Sequence, residues 1–358
     1  AEARERRRHN PRMAAALVQL LKPQAAAELV KESHHLRYVQ RVSSSKENVR
    51  RRTWHDFDSY VAHFIPWHDE QQGALQRAVD TVVRSVVPRR WAWLVDPDLS
   101  WSFILAKDQF EAGMPHTIHT AVVIPEWMAR AALADPHNRT LLDNLVHERV
   151  HVLQKARPEP WAKLYEGWGW TNEQQSDSMW ASLSESVKAA GFSGVKFPQN
   201  RINPDTPHAW VMRQCEPEEV LWVPFTPFVT AGRTLNQVAH GFLRVHHGEP
   251  TSKAYGSAQW RPKETVGWFA EHIGDNASCW HCYHPEETAA VLIALDCREP
   301  ELAARRVDSP ARRALVRWGR EVGAGELMRV HGPRGAGSRA GRGKDSVKKK
   351  PKRVHHEL

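Results

Sequence analysis

The stretch Leu145-Val146-His147-Glu148-Arg149-Val150-His151-Val152-Leu153 narrows what this chain can fold into more than any other. Its apolar residues recur every three or four positions, the period of an amphipathic helix, and residues four apart on a helix stack on one face. His147 and His151 can therefore offer two imidazole nitrogens to one metal ion, while Glu148 between them can act on a water held there. Two ligands do not close such a site. The fold has to return a third from elsewhere and leave this face of the helix open to a cleft.

The helix carries its own punctuation. Thr140-x-x-Asp143 reads as a capping-box-like start, and Pro158 marks the stop. Leu142, Val146, Val150 and Leu153 predict a buried stripe, with His147, His151 and Gln154 on an adjacent one facing the cleft. Before it, residues 13–40 read as two short helices divided by Pro23, residues 43–53 as a polar, basic linker, and residues 54–88 as two further helices. Trp91–Val95, Trp101–Leu105 and Met114–Pro125 have the alternating or β-branched texture of strands. After it, Trp161–Trp170, Trp180–Ala190 and His284–Ala304 show helical spacing, residues 191–207 form a Gly/Pro/Asn loop, and residues 208–260 mix short apolar runs with turns. The expectation is an α+β fold, mostly helical with a small mixed sheet. It divides into N-terminal helices and linker over 1–53, one domain over 54–330, and a disordered basic tail over 331–358.

Charge placement qualifies the chain's basic character. The net charge is +9, but residues 331–358 hold nine Lys or Arg against Asp345 and Glu357, and residues 1–12 hold five Arg against Glu2 and Glu5. Those ends account for +7 and +3, which leaves the body at −1. Nucleic-acid binding is therefore expected only through the tails, if at all. Four Cys in 358 residues are too few for a disulfide framework; Cys279-Trp280-His281-Cys282 has C-x-x-C spacing without a second such pair, and reads first as buried or adventitious thiols, with a disulfide or a second metal site as the alternatives. Sixteen Trp in no regular repeat are expected to fill core gaps and line a cleft. No apolar run is long enough to span a membrane, and Gln19 and Lys22 interrupt the signal-like segment Met13–Leu21.

The chain also resembles a known family in separate patches. These are His116-Thr117-x-x-Thr120-Ala-Val-Val-Ile124-Pro125, then His147-Glu148-x-x-His151 running on to Leu153-Gln154, and next Pro158-Glu159-Pro-Trp161 with Leu164-Tyr165 and Gly169-Trp170. Further on come Asn203-Pro204-Asp205-Thr206-Pro207 and His284-Pro285-Glu286-Glu287-x-x-Ala290. In this order they resemble the little-characterised gluzincin-type zinc metallopeptidases. The resemblance implies a zincin-like fold, a Zn2+ cofactor, a peptide or protein substrate, Glu148 as general base, and His147, His151 and Glu287 as metal ligands. It also implies that the strand before the motif helix borders the cleft and pairs with extended substrate. A rival third ligand is Glu173, since Asn172-Glu173-Gln-Gln-Ser176-Asp177 is similar to the Asn-Glu-x-x-Ser-Asp pattern of thermolysin-like enzymes. Tyr165, His281, Tyr283 and His284 are candidates for the donor that stabilises an oxyanion. Two departures stand out: Arg149 where an apolar residue is common, and Gln154-Lys155 where the family usually has Ser-Arg.

The alternatives are a catalytically inactive zincin-like binding module and a nucleic-acid-associated protein acting through its basic tails. Lys348-Lys-Lys-Pro-Lys-Arg353 resembles a nuclear import signal and His355-His-Glu-Leu358 an ER-retention ending, so the compartment is left open, as is the oligomeric state.

Overall fold

The expected strand at Trp101–Leu105 is the spine of the protein. A computed structural model describes residues 16–44, 53–96, 98–172, 205, 210–214, 220–225, 241–246, 259–262, 284–299 and 309–329. In it β1 (Val18–Leu20) and β4 (Ala121–Pro125) flank β2 (Trp101–Ala106) in parallel, and β3 (His116–Ile118) adds an antiparallel edge beside β4. β2 is buried along its whole length, as a near-continuous apolar strand covered on both faces should be.

Alternation along the strands sorts the core into two layers. Trp101, Phe103, Leu105, Val122 and Ile124 face one layer, and Ile104, Ala106, Ala121 and Val123 face the other. Packed in the second layer are α1 (Pro23–Glu32), α2 (His35–Ser44) and α3 (Phe57–Val61), through Ala26, Val30, Tyr38, Val39 and Tyr60. The first layer is built by α4 (Asp69–Thr81), α5 (Glu126–Ala134), α6 (Arg139–Ala156), α7 (Pro158–Gly167), α8 (Pro285–Arg298) and α9 (Pro310–Arg329). The architecture is thus α+β, helices around a small mixed sheet. No helix among the described residues is long and apolar enough to cross a membrane.

Several local expectations give way. Residues 18–20, expected within a helix, form β1, because Val18 and its neighbours pair with Trp101–Phe103 across the sheet. Trp91–Val95, expected as a strand, lies in a short 3-10 segment (Arg89–Val95), where Trp91 and Trp93 meet edge-on at 5.7 Å instead of alternating across a sheet. Met114–Pro125 is not one strand. It folds back as β3 and β4 around a turn in which His119 takes φ +51°. The cap of α6 is Asn138, whose side chain accepts from Leu141 N, while Asp143 pairs with Arg298 at 3.1 Å and ties α6 to the far end of α8. Trp170 begins a strand rather than ending a helix. That strand, β5 (Trp170–Asn172), opens a five-stranded antiparallel meander with β6 (Trp210–Gln214), β7 (Val220–Phe225), β8 (Gly241–His246) and β9 (Gln259–Pro262), for which the sequence offered only short apolar runs. Helix α9 has no counterpart among the expected elements. Residues 45–52, 180–190, 330–358, Cys215, Cys279 and Cys282 lie outside the described residues, whereas Cys297 is buried on α8 as a free thiol.

Among the described residues most tryptophans are buried in the core. Trp93, Trp161 and Trp318 pack mutually with ring centroids 4.5–5.6 Å apart. Trp91 sits under Gly319 of α9, so that a Cβ there would lie 2.3 Å from its ring. Trp91 cannot withdraw, because its Nε1 donates to Asp296 Oδ2 at 2.6 Å. Gly319→Ala should therefore destabilise the protein by about 1–3 kcal/mol through overpacking. That outweighs the ~1 kcal/mol that alanine normally adds in a helix. A thermal midpoint equal to or above that of the wild type would contradict this packing.

Candidate metal centre

Helix α6 is buried nearly all round, from Leu141 to Gln154 apart from a half-open stripe at Asp143, Asn144 and His147. It runs against α8, β3, β4, α4, α5 and α7. Its one-turn repeat brings His147 and His151 together as expected, with Nε2 atoms 3.0 Å apart. Glu287 reaches them from the first turn of α8, where Pro285 starts the helix and a carboxylate is favoured by the helix dipole. Its Oε2 lies 3.3 Å from His147 Nε2 and 3.6 Å from His151 Nε2. Four ligands at zinc's usual 2.0–2.1 Å would lie about 3.3 Å from one another at the corners of a tetrahedron. The three atoms thus hold the spacing of three such corners. The sequence-expected set His147, His151 and Glu287 is the one group of three His, Cys, Asp or Glu residues among the described residues that could hold a metal. Glu173 lies outside them.

The ring orientation of His151 follows from its neighbours. Gln154 Nε2 donates to the Glu286 carbonyl at 3.0 Å and to Tyr165 Oη at 2.8 Å. A carbonyl can only accept, so the amide nitrogen must face it. Gln154 Oε1 then faces His151 Nδ1 at 2.7 Å and accepts its proton. Nε2 is left pointing at His147 and Glu287, so that loss of its proton gives the tautomer a metal ligand requires. Tyr165, proposed above as an oxyanion donor, is fully buried and holds Gln154 instead. His284 is buried at the N-cap position of α8 without a side-chain capping bond, and His281 and Tyr283 lie outside the described residues.

Carboxylates crowd the site. Glu148, Asp205, Glu286 and Glu287 are all buried and all act on the single ammonium of Lys155. Buried carboxylates favour positive charge beside them. A proton on His151 is part of it. Burial alone would lower the His151 pKa, but the Glu287 carboxylate raises it to about 10. Burial alone would raise Glu287, yet His151 and His147 hold it well below the usual carboxylate range. Glu148 is pushed up to about 7, first by burial and then by Asp205, against the pull of the two histidines.

Three residues of the site were legible only in the family-like patches, Thr117 and Asp205 as members and Lys155 as a departure. Thr117 Oγ1 donates to Glu148 Oε2 at 2.8 Å, Asp205 Oδ1 accepts from Thr117 N at 2.5 Å, and Lys155 donates a short bond to the Thr117 carbonyl. No periodicity marks them, because they join three separate segments. Arg149, the unusual residue within the motif, points away from the cleft. Its guanidinium donates to the carbonyls of Leu94, Asp96, Leu99 and Ser100 at 2.8–3.3 Å and lies over the Trp101 ring. It braces the loop leading into β2 and leaves the cleft face of the helix unaltered. Comparison with known proteins identifies no relative: no family model, no curated protein and no solved structure matches this chain.

Proposed function

We propose that this protein is a zinc-dependent metallopeptidase with a zincin-like fold that hydrolyses peptide bonds. The observation that carries the reading is the convergence of His147, His151 and Glu287 at tetrahedral spacing, with Glu148 on the same helix face as the two histidines. The antiparallel edge strand β3 beside the motif helix supports the zincin-like assignment. The two nitrogens and one carboxylate oxygen suit Zn2+ and leave a fourth position for water. Bound there, Zn2+ supplies Lewis acidity, polarising a carbonyl and lowering the pKa of a water from 15.7 toward ~7.

The chain's own residues do the rest. Glu148, buried and shifted toward neutrality, takes the water's proton and passes it to the leaving amine. The Thr117 hydroxyl holds one carboxylate oxygen of Glu148, so the other is the atom left for the proton. Gln154 keeps His151 turned so that its Nε2 faces the metal position.

The test compares zinc content and hydrolysis of an unfolded protein by wild type and Glu148→Gln. The variant should bind zinc as the wild type does and lose activity by roughly 10²–10⁴-fold, the usual contribution of a general base. A zinc-loaded wild type no faster than the variant would refute the peptidase reading.

A further inference from the structure

Among the described residues, the outer edge of β3 is covered by two side chains and by no strand. In the antiparallel register Thr117 faces Val122, while His116 and Ile118 face Val123 and Ala121. Main-chain pairs in such a ladder alternate between bonding inward and pointing outward. Thr117 is an outward one: its N–H goes to the Asp205 carboxylate at 2.5 Å and its C=O to the Lys155 ammonium. Thr117 is fully buried, so both groups need partners in the absence of any ligand. A carboxylate accepting from the N–H and an ammonium donating to the C=O reproduce what the main chain of an added strand would offer.

The position is also special chemically. Thr117 is the residue whose hydroxyl holds Glu148, so the capped main-chain edge and the proposed general base meet in one residue. Lys155 lies one turn beyond His151 on α6, and Asp205 is the carboxylate that acts on it most strongly. When both release Thr117, each has a partner of opposite charge at hand.

We propose that Asp205 and Lys155 form a removable cap on β3, and that an extended peptide binds by taking over their two hydrogen bonds to Thr117. The proposal rests on the peptidase reading for its substrate, and names the main chain of an unstructured peptide as the group recognised. It makes the two side chains positioning residues that compete with substrate for one strand edge.

The experiment measures binding of fluorescein-labelled, unstructured decapeptides of randomised sequence to zinc-loaded Glu148→Gln protein by fluorescence anisotropy. Adding Lys155→Met, which keeps the aliphatic stem, or Asp205→Ala should tighten binding about three- to tenfold, since each removes one competing bond. A peptide set methylated on its backbone nitrogens should lose that gain. If Asp205→Ala does not fold, Lys155→Met carries the test. Binding unchanged or weakened in Lys155→Met, at parental zinc content and thermal midpoint, would overturn the cap. Hydrolysis by the wild type reports the peptidase reading separately. Zinc-dependent cleavage without tightening overturns the cap alone, and tightening without cleavage overturns the peptidase reading alone.

Discussion

Glu287→Ala is expected to abolish both stable zinc retention and peptide hydrolysis while Glu173→Ala keeps them. Removing only an outer partner of a metal ligand costs about 10–100-fold in affinity, so losing one of three ligands should cost more than ~100-fold. Glu287→Gln preserves the shape of the side chain and separates loss of charge from loss of packing. The comparison is zinc content after dialysis for His151→Ala, Glu173→Ala and Glu287→Ala. Should Glu173→Ala match His151→Ala while Glu287→Ala keeps its metal, Glu287 is not the ligand.

The same site predicts how metal uptake depends on pH. In the metal-free protein the His151 pKa is raised to about 10 by Glu287, so the imidazole is protonated at neutral pH. A metal needs its lone pair, and binding must therefore release that proton. Below pH 10 the apparent zinc affinity should rise about tenfold per pH unit. In the absence of metal the sign is opposite: the raised pKa stabilises the fold fully below the ordinary histidine value of ~6.5, and that stabilisation is lost as pH rises through about 10. Zinc affinity independent of pH between 6 and 8 would show that no such proton is held.

Arg149→Ala should be the most destabilising single change in the motif helix, although it touches no proposed ligand. Four carbonyls of residues 94–100 converge on this one guanidinium, and all but a trace of it is buried. Burial draws its pKa down to about 10 despite Asp96, so it remains charged at neutral pH. Removing it leaves several buried acceptors unpaired, a loss of about 3–5 kcal/mol against the 5–15 kcal/mol that holds a typical domain together. Arg149→Lys keeps the charge but not the fork, and should recover only part of the loss. Chemical denaturation is the measurement. A midpoint within error of the wild type would mean that the loop is held by other contacts, and the motif's Arg would lose its structural explanation.

What the sequence by itself determined was local. The 3.6-residue period puts His147, Glu148 and His151 on one side of a helix whatever surrounds it, and the apolar run at Trp101–Leu105 has to become a buried strand. The helical spacing within 284–304 was equally readable, and α8 occupies Pro285–Arg298 of it. Everything that closes the site joins distant segments, and no local period encodes such meetings. Packing of α6 on α8 places Glu287 within reach of both histidines. It also sets the Glu286 carbonyl where it orients Gln154 and, through it, the His151 ring. The fold-back of Met114–Pro125 turned one expected strand into a hairpin, and only then did Thr117 acquire an outer edge for Asp205 and Lys155 to cover. Arg149 shows the division most plainly. Its place in the motif was visible in the chain, but the direction it points was decided by four carbonyls in a loop some fifty residues earlier.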